Sequence, residues 1–194
     1  GNQQLLFEAF SSCNSVYARV SLHNEVLDGE FLKSGCTNID FNDATVRAFN
    51  AVTASEQMIL GVGQKQTHFI TDKHKTVEKK VTLPNRWIKG LGNVQVYLSE
   101  MELAYRLNKA EAIQLFRSLP KQAVKTDYYL VKRGVSYAFA PTPTAGAIKI
   151  GGAHRLNLLQ GLLLLADSLF IYRNPSEQTV AFVLNFKGVE MLFL

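Results

Sequence analysis

The sequence predicts an α+β protein in which mostly antiparallel strands pack on several helices. Short runs of β-branched and aromatic residues, bounded by Gly, Asn, Asp and Lys, recur along the chain and are typical of strands joined by turns. Other segments carry apolar residues at three- and four-residue spacings, which indicates amphipathic helices. The 194 residues are 47% hydrophobic and 19% charged, a composition that supports a sizeable core and excludes an intrinsically disordered chain.

The first predicted elements are a strand, a helix and a small meander. Residues 15–22 alternate between apolar and more polar side chains, which predicts a half-buried strand. Asn42 stands before a helical pattern that extends to about residue 54, and Asn is a favourable N-cap. The predicted meander consists of three short strands at 58–62, 68–71 and 76–83.

Two capped helices and a hairpin follow. Asn85 caps a predicted helix whose apolar residues recur up to about residue 98. Asn108 caps a second helix over 109–119, which Pro120 ends. Strands at 128–131 and 135–140 flank Gly134, a suitable turn residue for a hairpin.

Alternating prolines mark the clearest break in the chain. Pro141 and Pro143 favour extended backbone over helix or sheet. The break predicts two parts, a strand-rich α+β part at 1–140 and a smaller helix-plus-strands part at 145–194. The smaller part is predicted to hold a short strand, a Leu-rich helix over 154–168 that is covered on several sides, and a short antiparallel sheet. Because the chain stops inside an apolar strand, we expect this part to be truncated at its C-terminus.

Composition restricts the compartment. No apolar run reaches the ~18 residues that a membrane span requires, and no signal peptide opens the chain. Two cysteines allow at most one disulfide, which favours a reducing environment. We therefore expect a cytoplasmic protein that does not associate with membranes.

Motifs for catalysis, metal binding or phosphate binding are missing from the sequence. The four histidines and two cysteines show no HxH, HExxH or CxxC spacing, so no metal site is predicted. No complete GxGxxG or GxSxG is found, and Cys13 is interpreted as a small core residue rather than a nucleophile. We expect no enzyme activity and no cofactor, although an unrecognised active site is compatible with the sequence.

The positive charge of the chain is local. Seven of its 21 Lys and Arg residues, but only two of its 16 Asp and Glu residues, lie between 64 and 90, so this stretch accounts for the whole net charge of +5. Such a stretch predicts contacts with nucleic-acid phosphates. The alternative is a solvated sheet edge that lysines protect from aggregation. The candidate nucleic-acid-binding residues are Lys73, Lys75, Lys79, Lys80, Arg86 and Lys89.

Several segments together resemble the region outside the zinc finger in bacterial SWIM zinc-finger proteins. The resemblance covers most of the chain, and the segments occur in the same order as in that family. They are FEAFS at 7–11, VYARV at 16–20, SGCTNIDFN at 34–42, VEKKVTLPNRWIKG at 77–90, IKIGGAHRL at 148–156 and LFIY at 169–172.

The resemblance implies a cytoplasmic bacterial protein whose zinc-binding CxC…CxH motif lies elsewhere in a longer chain. It implies zinc only for that finger and transfers no zinc ligand or catalytic residue to this sequence. It also implies an AAA-type ATPase or a von Willebrand A-like protein as partner. The function we expect is a non-catalytic interaction domain that holds a protein through an exposed apolar surface or an unpaired strand edge. Nucleic-acid binding through 64–90 is the alternative.

Overall fold

The computed structural model describes residues 4–29, 34–176 and 179–194. Within these residues it has twelve strands and four α-helices, and the strands form three antiparallel sheets. The predicted α+β class is therefore confirmed. The strands are β1 (Gln4–Phe10), β2 (Tyr17–His23), β3 (Ile59–Val62), β4 (Gln66–Ile70), β5 (Lys75–Lys79), β6 (Glu102–Asn108), β7 (Tyr128–Arg133), β8 (Ser136–Ala140), β9 (Ile148–Ile150), β10 (Ser168–Asn174), β11 (Thr179–Phe186) and β12 (Val189–Phe193). The α-helices are α1 (Asp43–Ala51), α2 (Asn85–Ser99), α3 (Lys109–Phe116) and α4 (Gln160–Leu163).

The chain divides into two compact units. The larger unit comprises Gly1–Glu30 and Lys89–Leu194, and the smaller unit comprises Phe31–Ile88. The sequence-predicted parts 1–140 and 145–194 both contribute strands to the largest sheet, and their division near Pro141 stays a prediction.

A six-stranded antiparallel sheet organises the larger unit. Its strand order is β1-β2-β12-β11-β10-β6, so β2, from near the start of the chain, lies beside β12, the last strand of the described residues. Tyr17 and Leu194 exchange two backbone hydrogen bonds of 2.8 Å, and His23 N donates to Gly188 O at 2.9 Å. The sheet therefore joins segments from both ends of the chain.

One face of this sheet packs against a second sheet and three short helical segments. The second sheet has the order β8-β7-β9. The helical segments are α3, α4 and the 3-10 helix Ala153–Leu159. Among the fully buried residues between the layers are Leu115, Leu130, Leu169, Ile171 and Leu184. This layer is the main core.

The opposite face of the six-stranded sheet is covered by α2. Val94 is buried on that face with Tyr17, Val183 and Leu192, and Leu91 and Leu98 pack around them. The helix presents these residues because positions 91, 94 and 98 lie on one side at 3.6 residues per turn.

The covered second face changes the expected burial of β2. The sequence predicts a half-buried strand, yet Tyr17 and Ser21 on its more polar face are both buried. The alternation in the sequence shows that one face of the strand is more polar than the other. Whether the more polar face is also buried depends on whether a second layer packs against it.

Two strands of this sheet were not predicted. β1 carries apolar residues on both faces and so shows no alternation. β6 lies between the two predicted helices, and its residues Glu102–Asn108 mix polar and apolar side chains without a turn signal before α3. Both strands lie at the edges of the six-stranded sheet.

The Leu-rich segment differs most from its prediction. In place of one helix over 154–168, the structure has the 3-10 helix Ala153–Leu159 followed by the single turn α4. Asn157 donates to the backbone oxygens of His154 and Pro120, a side-chain bond that competes with regular helix. The prediction that the leucines are covered on several sides is wrong, because Leu158, Leu164 and Leu165 are 75%, 65% and 70% exposed.

The smaller unit matches its predicted elements. β3, β4 and β5 form a meander in that order, and α1 precedes it. Asn42 Oδ1 accepts a hydrogen bond from Thr45 N at 2.9 Å, which confirms the predicted cap. The rings of Phe41, Phe49 and Phe69 pack edge to face with centroids 4.9–5.8 Å apart.

The turn between β11 and β12 generates a stability prediction. Gly188 has a φ of +71°, and a Cβ there would lie 2.3 Å from Val26 Cγ1. Gly134 has a φ of +61° but no atom within 4 Å of its Cβ position. We expect Gly134→Ala to lower the free energy of unfolding by about 1 kcal/mol, because of the positive φ alone.

We expect Gly188→Ala to lower the free energy of unfolding by more, about 3 kcal/mol, because the steric clash adds to the strained φ. Urea unfolding of both variants measures the difference. Equal free energies of unfolding for the two variants would contradict the tight packing of the turn on Val26.

Candidate functional site

Two adjoining cavities border β9 in the larger unit. Their volumes are about 410 Å³ and about 220 Å³, and Lys149 and Val180 line both of them. We call the pair the β9 groove. Pro143, Thr144, Arg173 and Pro175 belong to the lining of the first cavity, and Ser15, Gly151, Arg155, Phe182 and Phe193 to that of the second.

β9 is an edge strand. Its neighbour in the sheet is β7, where Tyr129 lies opposite Lys149, and no other strand of the described residues pairs with it. The opposite edge of the same sheet, β8, packs against α3. An unpaired strand edge presents backbone donors and acceptors that another extended segment can pair with.

The bottom of the β9 groove is apolar. Ile148 and Ile150 are 8% and 4% exposed and belong to the main core, as do Phe182 and Phe193. Because side chains alternate along a strand, Lys149 lies on the opposite face of β9 from the two isoleucines. The free edge of β9 therefore lies between an apolar interior face and a basic exterior face.

The charged side chains that line the groove are all basic. They are Lys149, Arg155 and Arg173, and no Asp or Glu is among the described lining residues. Lys149 Nζ lies 2.8 Å from Asp127 Oδ2, and the hydrogen bond to this carboxylate raises the pKa of Lys149. Arg155 donates to Ser15 Oγ. Arg173 is exposed and has no ion pair within the described residues.

Cys13 lies beside the groove and not in the core. The prediction of a small core residue is wrong, because the hairpin turn between β1 and β2 leaves this thiol exposed. Ser11 Oγ and Ser15 Oγ lie 3.4 Å and 3.0 Å from Cys13 Sγ, and Arg155 Nη2 lies 4.0 Å away. These hydrogen bonds, first that of Ser11 and then that of Ser15, lower the pKa of Cys13 to about 6.

The basic residues predicted from the sequence are all exposed. Lys75 and Lys79 lie on one face of β5 with Val77 between them. Lys73 Nζ lies 3.7 Å from Glu56 Oε1, and Lys80 bridges to Ile39 through its backbone. Arg86 belongs to the smaller unit with these lysines, whereas Lys89 belongs to the larger unit. Their role in nucleic-acid binding stays a prediction.

Metal ligation and membrane spanning have no support in the described residues. No group of three or more His, Cys, Asp or Glu residues is arranged there to hold a metal ion. None of the helices in the described part of the chain is long and apolar enough to cross a membrane.

The comparisons with known proteins identify similar structures only. No protein-family model matches the sequence, and no curated protein matches it. PCNA from Thermococcus kodakaraensis is similar with a TM-score of 0.54 and 11% identity, over 99% of this chain and 85% of that one.

Two further PCNA structures show the same likeness. A. fulgidus PCNA, bound to the C-terminal region of FEN-1, has a TM-score of 0.54 and 12% identity over 98% of this chain and 83% of that one. Proliferating cellular nuclear antigen from Entamoeba histolytica has a TM-score of 0.51 and 12% identity, over 97% of this chain and 82% of that one. At these identities the likeness shows the fold alone.

Sequence reasoning did not identify the β9 groove. Lys149 and Arg155 lie in the segment 148–156 that carried the family resemblance, but no role followed from it. Their position depends on the sheet order, which a single sequence does not reveal. The one local signal is the short apolar strand with a central lysine, a pattern typical of protected edges.

The serine contacts of Cys13 predict its reactivity. We expect the rate of alkylation by iodoacetamide to rise with pH with a midpoint near 6, because the thiolate is the reacting species. Ser11→Ala removes the hydrogen bond that lowers the pKa of Cys13 most and should move the midpoint to higher pH. Mass spectrometry of the peptide that contains Cys13 separates its modification from that of Cys36. An unchanged midpoint in Ser11→Ala would show that the Ser11 hydroxyl does not stabilise the thiolate.

Proposed function

We propose that this chain is a non-catalytic protein-binding module that accepts an extended segment of a partner along the free edge of β9. The observation that carries the proposal is the unpaired edge of β9 at the opening of the β9 groove. A strand added there forms backbone hydrogen bonds and places alternate side chains into the groove. The module uses no cofactor in this role.

Two further observations support binding over catalysis. The groove carries apolar and basic side chains but no nucleophile paired with a base among its described lining residues. The A. fulgidus PCNA, which has a similar fold, is bound to the C-terminal region of another protein, FEN-1. The lining of the groove and the complex of the similar PCNA both fit a scaffold that binds protein segments at a strand edge or a groove.

The resemblance in the sequence extends the proposal. The module is part of a longer SWIM-type zinc-finger protein, and its partner is an AAA-type ATPase or a von Willebrand A-like protein. The support for this step is the ordered set of matching segments between 7 and 172.

Occupying the groove with a side chain tests the proposal. Gly151 lines the second cavity, and a Cβ added there has no atom within 4 Å, so Gly151→Trp introduces a large side chain at the groove. We expect the unmodified chain to enrich a common pattern from a displayed peptide library and Gly151→Trp to lose at least tenfold in affinity for the enriched peptides. Isothermal titration calorimetry measures the affinity.

Gly92→Trp is the matched control. Gly92 is exposed on α2, and its Cβ position is equally open. This variant should bind the enriched peptides as the unmodified chain does. If the library yields no common pattern, or if both variants bind equally, the groove is not the binding site.

The second candidate function is nucleic-acid binding by the smaller unit. Lys75 and Lys79 are exposed on one face of β5, and the partner of Val77 in β4 is His68. Two lysines and an imidazole on one sheet face can contact phosphates. This observation favours the alternative that the sequence already raised.

Charge reversal of the two lysines tests this second function. We expect Lys75→Glu with Lys79→Glu to weaken binding of short single- and double-stranded DNA and RNA, and to reduce the salt slope by about two. Fluorescence anisotropy at low and physiological salt measures both quantities. The control reverses Lys121 and Lys125, which are exposed outside the basic stretch. Absence of binding by the unmodified chain at low salt would exclude this function.

A further inference from the structure

We infer that the β9 groove selects an extended segment in which acidic and apolar residues alternate. This inference rests on the proposed function, because it specifies the partner of the same groove. It goes further by assigning the sign of the partner's charge and the pattern of its side chains.

The pattern follows from the geometry of β9. A strand that pairs with the free edge of β9 continues its pleat, so its side chains alternate between the two faces of the sheet. On one face they lie beside Ile148, which lines the first cavity, and Ile150, which lines the second. On the other face they lie beside Lys149. Apolar residues fit the first face, and residues that complement an ammonium group fit the second.

The charge follows from the lining of the groove. Arg173 lines the first cavity, Arg155 lines the second, and Lys149 lines both. No acidic residue of the described lining neutralises them from within the groove, and only Lys149 has a carboxylate partner outside it. A segment with acidic residues is attracted to this positively charged lining, whereas a basic segment is repelled by it.

The probes are three synthetic peptides of about eight residues, close to the usual length of a strand. One alternates Val with Glu, one alternates Val with Gln, and one alternates Val with Lys. We expect the Val/Glu peptide to bind at least tenfold more tightly than the Val/Gln peptide, and the Val/Lys peptide not to bind. Raising the salt concentration should lower the affinity of the Val/Glu peptide and leave that of the uncharged Val/Gln peptide unchanged.

Two N-methylated forms of the Val/Glu peptide test the strand geometry. N–H groups of alternate residues point to the same side of a strand, so methylating all Val nitrogens or all Glu nitrogens blocks different edges. Strand addition at one edge predicts that one methylated form loses binding and the other keeps it. Equal loss or equal retention in both forms overturns strand addition.

Charge removal tests the basic lining. The double variant Lys149→Gln with Arg173→Gln should bind the Val/Glu peptide with about fivefold lower affinity, because two partly exposed ion pairs are lost. The matched control is Lys109→Gln with Lys187→Gln. These lysines lie beside Asn108 and Phe186, at the end of the six-stranded sheet opposite to Arg173 and Thr179. The control pair should bind the peptide unchanged.

The outcomes separate this inference from the proposed function. If Val/Gln binds as tightly as Val/Glu and Gly151→Trp abolishes both, the groove binds peptides but the acidic preference is wrong. If none of the three peptides binds and the library yields no pattern, the proposed function itself fails. If sedimentation shows a dimer that Gly151→Trp dissociates, the occupant is a second copy of this chain, and the acidic partner is overturned.

Discussion

The larger unit depends on the pairing of β2 with β12, which brings residues near the two ends of the chain into one sheet. Arg19 donates to Glu190 at 3.2 Å across this pairing, and the backbones of Tyr17 and Leu194 bond to each other at its end. Closing so long a loop costs conformational entropy that only extensive burial offsets. The sheet supplies that burial because both of its faces are covered, one by the main core and the other by α2.

Covering both faces leaves the strand edges as the places where the larger unit can offer backbone hydrogen bonds. β8 packs against α3, whereas β9 ends its sheet beside two cavities. Lysine at the centre of β9 limits uncontrolled pairing of this edge, since another strand must accommodate its charge. The same charge favours a partner that carries carboxylates, so protection against aggregation and selection of a partner follow from one side chain.

The environment of Cys13 shows how neighbouring segments change the chemistry of one residue. Two serines of the same turn lower the pKa of the thiol to about 6, and Arg155 from the segment after β9 adds a positive charge nearby. Cysteine is among the most often buried residue types, and the turn between β1 and β2 is the reason that this one is exposed. The sequence contains the serines, but their distances to the thiol depend on the turn, where Asn14 adopts a φ of 54°.

The class of the fold and most local elements follow from the sequence, because caps, turn residues and periodicity act within a few residues. Asn42 and Asn108 accept the N-cap hydrogen bonds that were predicted, and Gly134 occupies the hairpin turn. Long-range packing sets the sheet order and the burial of both faces of β2. It also forms the edge strands β1 and β6, which lack a local pattern. It also decided the β9 groove, whose lining comes from segments as distant as Ser15 and Phe193. Such positions follow from long-range pairing and packing, which no local residue pattern encodes.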